Sequence, residues 1–301
     1  KRLAAQRGDA FRVRCAEGAV PGPAGKLQGL NIARVSDGES VKAETLVAGS
    51  DGSNVQLTAF FTQWGDFDSF EMAQRLKPML PKLEEAGVKV SAVGIGTMEG
   101  AKEFSELTGF PADKLFVDSG ATCYKALGYA PGFGREGVTE GWWGNENVVK
   151  ATESWSPYAK LMAMCAGVGS PGTLQEVFRG YLGDRDAPEI KERFPGVLPE
   201  PMTGLFGVLG EGYQRPFELA TVRLLNMGNI LTRWETLTPE DKDLILQRGG
   251  ALITKDGEVV WEHRDQGILG YADVDELSKV AIAQASGTPA SLPPSGGETT
   301  A

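Results

Sequence analysis

Three cysteines and one histidine carry most of the nucleophilic and metal-binding chemistry open to this 301-residue chain. Their spacing offers little of it. Cys15, Cys123 and Cys165 stand far apart, with no Cys-x-x-Cys pair and no histidine beside any of them. A structural zinc site needs four soft ligands, usually in close pairs, so no metal is expected. A His-activated nucleophile could be built only around His263. That residue sits among charges in Trp261-Glu262-His263-Arg264-Asp265, at the end of a predicted strand, and no catalytic role is expected of it. Cys123 lies in Ala121-Thr122-Cys123-Tyr124 and Cys165 in the apolar run 161–166. Free cysteine is among the most buried residue types, and no neighbouring base or cation lowers either pKa. Both are read as buried and inert.

Two polar spots remain. Gly65-Asp66-Phe67-Asp68-Ser69 opens a predicted helix, where amide dipoles favour an anion; an ordinary helix cap explains it equally simply. Gly169-Ser170-Pro171-Gly172-Thr173, with Arg179 and Arg185 beyond it, gives weak anion-site candidates in Ser170, Gly172, Thr173 and Arg179. A helix started by Ser and Pro accounts for the same text. Gly94, Gly96 and Gly100 approach a dinucleotide loop, but the third glycine is one residue late and follows the second strand rather than the first. No cofactor is assigned.

The elements that would position these residues follow from periodicity. Residues 55–62 (VQLTAFFT) form a β-rich apolar run suited to a buried parallel strand. Residues 69–86 read as a helix capped by Asp68 or Ser69, kinked at Pro78 and closed by Gly87. A second strand (88–95), a helix (100–108), a third strand (115–117) and a helical turn (118–127) continue the βαβ alternation of a parallel sheet. Near the other end, 250–254 and 258–263 flank Asp256-Gly257 as a hairpin, and a closing helix spans 274–285. The segment 16–57 reads as loop and short strands. Between the halves, 131–248 is a long insertion with a helix at 158–166 and turns at 204–212. It carries Trp142, Trp143 and Trp155, and clustered tryptophan in irregular segments is one way interfaces are anchored. The fold class is α/β: a central mixed sheet with flanking helices, in the order βαβ then ββα, spanning 16–285.

Composition narrows the function classes. Hydrophobic residues are 41% and charged residues 23%, as in ordinary globular proteins. No apolar run reaches the roughly 20 residues of a membrane span. A net charge of −10 argues against nucleic-acid binding. The basic, acid-poor residues 1–14 read as the remnant of an organellar transit peptide extending to about residue 15. Val13-Arg14-Cys15-Ala16 matches the loose chloroplast cleavage pattern, which places the protein in the plastid. Residues 286–301 (SGTPASLPPSGGETTA) form a low-complexity tail with too little apolar surface to order alone.

At 61–76 (FTQWGDFDSFEMAQRL) the sequence resembles the peroxiredoxin-like branch of the AhpC/TSA superfamily. More narrowly, it resembles a group found in cyanobacteria and plastids. VKVSAVGIGTMEGAKEFSELTGFPADKLFVD, MCAGVGSPGTLQEVFRGYLGDRDAP, QRPFELATVRLLNM and QRGGALITKDGEVVWEHRDQGILGY carry the same resemblance. It implies a thioredoxin-like fold. In cysteine-bearing relatives the turn reads Gly-Cys-x-x-Cys, and set on Gly65 those cysteines fall at Asp66 and Ser69. Neither residue can attack a peroxide, so the resemblance implies a vacated redox site. The expected function is that of a redox-inactive thioredoxin-fold component of a protein assembly, in the stroma or at the stromal face of a thylakoid or photosystem complex. The alternative is a thiol peroxidase or reductase using Cys123 or Cys165.

Overall fold

The computed structural model describes residues 22–49, 54–135 and 146–287. Its central strand is β3 (Val55–Gln63), with all nine residues buried, as a strand covered on both faces must be. β4 (Val88–Ile95) runs parallel to β3, and β5 (Leu115–Val117) parallel to β4. Between them lie α3 (Phe67–Leu76), α4 (Leu80–Glu85) and α5 (Met98–Thr108), with α6 (Thr122–Leu127) following β5. The helix expected over 69–86 is therefore broken rather than kinked. Pro78 has no amide to donate and crowds the preceding turn, and the short 3₁₀ turn Lys77–Met79 separates α3 from α4.

The hairpin β6 (Gly250–Lys255) and β7 (Glu258–Arg264) pairs antiparallel against the free edge of β3. The closing helix α14 (Val274–Ala285) packs over the same core through Val274, Leu277 and Ala281. Both elements fall where the sequence predicts them. The segment before β3 contributes α1 (Pro23–Leu27), β1 (Asn31–Arg34), β2 (Ser40–Lys42) and α2 (Thr45–Ala48). β1 covers the edge of β5, giving seven strands in the order β2-β1-β5-β4-β3-β6-β7. This is the mixed sheet with flanking helices that the sequence implies.

Among its described residues the insertion packs seven helices: α7 (Glu146–Ala151), α8 (Pro157–Cys165), α9 (Thr173–Leu182), α10 (Ile190–Arg193), α11 (Glu200–Gly207), α12 (Glu218–Thr232) and α13 (Trp234–Leu237). α11 runs into the stretch 204–212 that was expected to be turns. Pro201 in its first turn presets a helical φ, and the glycines that suggested turns lie within or just beyond its last turn. Leu237 and Ile230 join the sheet's own core, which also takes in Phe70, Ala73 and Leu76 of α3. Trp142 and Trp143, the basic leader and the low-complexity tail beyond Gly287 lie outside the described residues. Trp155 is 44% exposed and its ring meets Phe133.

Candidate functional site

The turn after β3 is built around Trp64, whose fully buried indole lies across β4. A Cβ at Gly94 would stand 2.1 Å from that ring, and one at Gly96 would stand 2.5 Å away. Gly94 and Gly96 therefore serve the packing of Trp64, not a nucleotide. Gly65 then turns the chain into α3.

Asp66 is the N-cap of α3; its carboxylate accepts a 3.3 Å hydrogen bond from the Asp68 amide. This corrects the expectation that Asp68 or Ser69 caps the helix: both lie in its first turn, and both are buried. The Ser69 hydroxyl donates to the Gln63 carbonyl at 3.0 Å and lies 2.9 Å from the Thr62 hydroxyl. It is a packing group with its partners already found.

Asp66 is also one end of a buried ion network with no local sign in the sequence. Arg248, at the entry to β6, reaches back 182 positions to place one terminal nitrogen 2.9 Å from Asp66 Oδ2. The other lies 3.3 Å from Asp68 Oδ2. Its remaining donors meet the carbonyls of Leu246 and Ile245. Asp68 Oδ1 takes a 2.5 Å hydrogen bond from the Leu269 amide, delivered by a residue whose φ of 62° is unusual for leucine. Asp265 completes the cluster, with Oδ1 3.4 Å from His263 Nε2, which itself donates to the Gly270 carbonyl at 2.7 Å.

Three buried carboxylates thus surround one guanidinium and one partly buried imidazole. Burial pushes Asp68 well above the usual carboxylate range, and the neighbouring Asp66 charge adds to the shift. Burial also raises Asp265, against the opposing pull of His263. Arg248 is lowered by burial but raised more by Asp66 and Asp68, so it stays charged. Burial lowers His263 too, yet the neighbouring Asp265 carboxylate carries it above its ordinary value. Arg248 thus faces Asp66 and Asp68 together, and Asp68 is pushed towards its protonated form.

This state has a measurable sign. An acid whose native pKa exceeds its unfolded value contributes stability in full below about pH 3.9, and loses it as pH rises towards the native value. Asp68→Asn removes that titration. We expect the unfolding free energy of the parent, from urea titrations, to fall relative to Asp68→Asn as pH rises above 4, by up to about 1.4 kcal/mol per pH unit. Parallel curves would show that Asp68 holds no extra proton in the native state.

The thiols fare differently from expectation in one case. Cys123 is buried as predicted, and burial together with Asp118 pushes its thiol far up. Cys165 is exposed, which corrects its reading as buried. Lys160 and Met164 take the inward positions of α8 and leave Cys165 on the solvent side. The protein around its thiol, with the Asp66 charge, nevertheless pushes it up to about 11, away from the reactive range.

Ser170 and Thr173 are engaged in a closed chain. The Ser170 hydroxyl accepts from the Ile268 amide at 2.7 Å and lies 2.7 Å from the Thr173 hydroxyl, which donates to the Ile268 carbonyl at 2.9 Å. Arg179 is tied to Asp184 at 2.7 Å. These groups clamp α9 to the loop after β7, the loop that also supplies the Leu269 amide to Asp68. Among the described residues, no group of three or more His, Cys, Asp or Glu side chains is placed to hold a metal ion. No helix there is long and apolar enough to cross a membrane.

A family model described as AhpC/TSA antioxidant enzyme matches residues 75–267, more than half of the chain. The match begins beyond Asp66 and Ser69 and includes Arg248, Asp265 and the insertion. A solved structure of the bacterioferritin comigratory protein of Xanthomonas campestris, studied for alkyl peroxide reduction, is also similar. It is 11% identical, with 88% of this chain and 98% of that chain covered at a TM-score of 0.37. No curated protein matches.

Proposed function

The chain belongs to the AhpC/TSA antioxidant enzyme family, and from that membership we propose that it keeps the thioredoxin-like fold without thiol chemistry and works through protein contacts. One observation carries the reading. The helix N-terminus after β3 holds its own carboxylate, Asp66, locked at 2.9 Å to a buried arginine. A peroxidase needs a thiolate at such a position, held ready by the helix dipole and a cation. Here the dipole and the cation are both present, and both are spent on Asp66. The protein is a component of a plastid assembly on this reading, supported by the basic leader and by the resemblance to a cyanobacterial and plastid group.

A second reading is favoured by the exposure of Cys165 beside the same network and by the family's description as antioxidant enzymes. In it, Cys165 attacks the peroxide. Consumption of hydrogen peroxide and of an alkyl hydroperoxide, with dithiothreitol as reductant, separates the two. We expect the parent and Cys165→Ser to be indistinguishable from the reductant alone. Turnover by the parent that disappears in Cys165→Ser would replace the first reading by the second.

A further inference from the structure

α12 carries apolar side chains on two faces. Leu219, Val222, Asn226 and Ile230 face inward, where Asn226 exchanges two 2.9 Å hydrogen bonds with Gln74 of α3. The opposite face is open. Phe217, Leu224 and Leu231 stand exactly seven positions apart and are 58, 67 and 61% exposed. With Ala220 and Met227 between them, they alternate three- and four-residue steps, the seam of a coiled coil. No charged residue lies on this seam. Arg223, the nearest cation, turns away to Glu71 at 2.7 Å.

The adjacent helix α9 extends the same surface with Phe178, Tyr181 and Leu182, and the rings of Tyr181 and Phe217 meet edge-on at 6.0 Å. Phe217 itself occupies the left-handed region at φ 63°. A bulky side chain held there marks a conformation that the surrounding structure imposes, and it keeps the ring outside the core. Nine apolar side chains on these two helices and the cap stand open. At roughly 100 Å² each, they expose on the order of 900 Å², taking half of a large side chain's area. Apolar patches on monomers are typically about 300–600 Å², and a stable dimer covers about 800 Å² per partner.

We propose that this face is where a second copy of the chain docks, with α12 packed antiparallel on α12 across a two-fold axis at Leu224. The seam is its own complement. Phe217 and Leu231 lie equally far on either side of Leu224, so reversal sets Phe217 against Leu231 of the partner subunit and Leu224 against Leu224 of the partner subunit. Such self-matching is what an isologous interface requires. A net charge of −10 works against self-association, so an uncharged seam is the part of the surface on which two copies can meet at least cost. A lipid surface is the poorer occupant: interfacial helices rim their apolar face with cations, and Arg179 and Arg223 beside this one are committed to Asp184 and Glu71. The inference stands apart from whether any thiol of the chain reacts.

The test uses the full chain at micromolar concentration. Light scattering after size exclusion should give twice the mass of one chain. Leu224→Glu, at an exposed position, should give a single chain with unchanged circular dichroism and raise the dissociation constant at least tenfold. In a Cys15→Ser, Cys165→Ser background, Leu224→Cys should join two copies when diamide takes up the two thiol protons and electrons. Leu205→Cys, exposed on α11, should not. A parent that stays monomeric, a Leu224→Glu variant that stays dimeric, or equal cross-linking at 224 and 205 would each overturn the proposal. So would a monomeric parent that floats with phosphatidylcholine vesicles.

Discussion

Arg248→Leu should destabilise the protein by about 3–5 kcal/mol, the usual consequence of removing one partner from a buried ion network. The guanidinium is 0% exposed, and Asp66 and Asp68 are 6% and 2% exposed. Without it, Asp66 has the helix N-terminus and little else to stabilise its charge, and a helix-dipole contact contributes at most about 2 kcal/mol. The loop carbonyls of Leu246 and Ile245 lose their donor as well. Urea unfolding at pH 7 measures the loss. The same experiment on Arg248→Leu combined with Asp66→Asn and Asp68→Asn should recover more than half of it, because no unpaired charge then remains buried. A single variant as stable as the parent would mean that the network contributes nothing, and that the reading of this turn as an ion lock is wrong.

A second large effect is expected from restoring the thiols. In Asp66→Cys with Ser69→Cys, the thiol at position 66 inherits the cap position of α3 and the nearby Arg248 side chain. It also loses the charge that raises Cys165. Both surroundings favour the thiolate, so its pKa should fall below the ordinary value of about 8.5. Each unit of that fall brings nearly tenfold more thiolate at pH 7. Iodoacetamide should therefore label the double variant at least on the order of a hundredfold faster than Cys165 of the parent, whose thiol is pushed up to about 11. Mass spectrometry of the labelled peptide would assign the site. A thiol at 66 that titrates at or above 8.5 would remove the argument that this turn was built to hold an anion. Asp66 also cannot be dismissed as a cap alone: caps are worth about 1 kcal/mol, whereas breaking a buried pair costs several.

Much of this site was legible in the sequence, and the part that was not has a physical reason. Gly65 to Ser69 reads as the start of a helix because short polar side chains before an apolar period can satisfy the first free amides. The hairpin at Asp256-Gly257 and the helix after Asp273 announce themselves in the same local way. Arg248 does not. Its partners are 180 and 182 positions away, and an arginine before two glycines gives no local sign that it will be buried. Asp265 was hidden for the same reason, in a run of alternating charges that looks like a solvated strand end. The one available hint was that Arg248 stands two residues before the buried start of β6, where an exposed side chain has little room. Cys165 misled in the opposite direction. An apolar neighbourhood in sequence argues for burial, but on a helix only every third or fourth residue faces inward, and Met164 took that place. The apolar face of α12 could be seen in its composition, while its exposure depended on what lay across from it.

The sheet also sets an order of events during synthesis. β3 pairs on one side with β4, a few dozen residues later, and on the other with β6, where Val55 meets Lys255 across 200 positions of chain. At about 5–20 residues per second, some ten to forty seconds separate the emergence of the two strands from a ribosome. Throughout that interval the nine-residue β3 offers a full row of unsatisfied amides and carbonyls beside an apolar surface, the kind of edge on which chains aggregate. Closing so long a loop is unfavourable until the hairpin can add its own pairing, so nothing earlier in the chain relieves the exposure. A chain that ends before β6 would keep that edge of β3 unpaired.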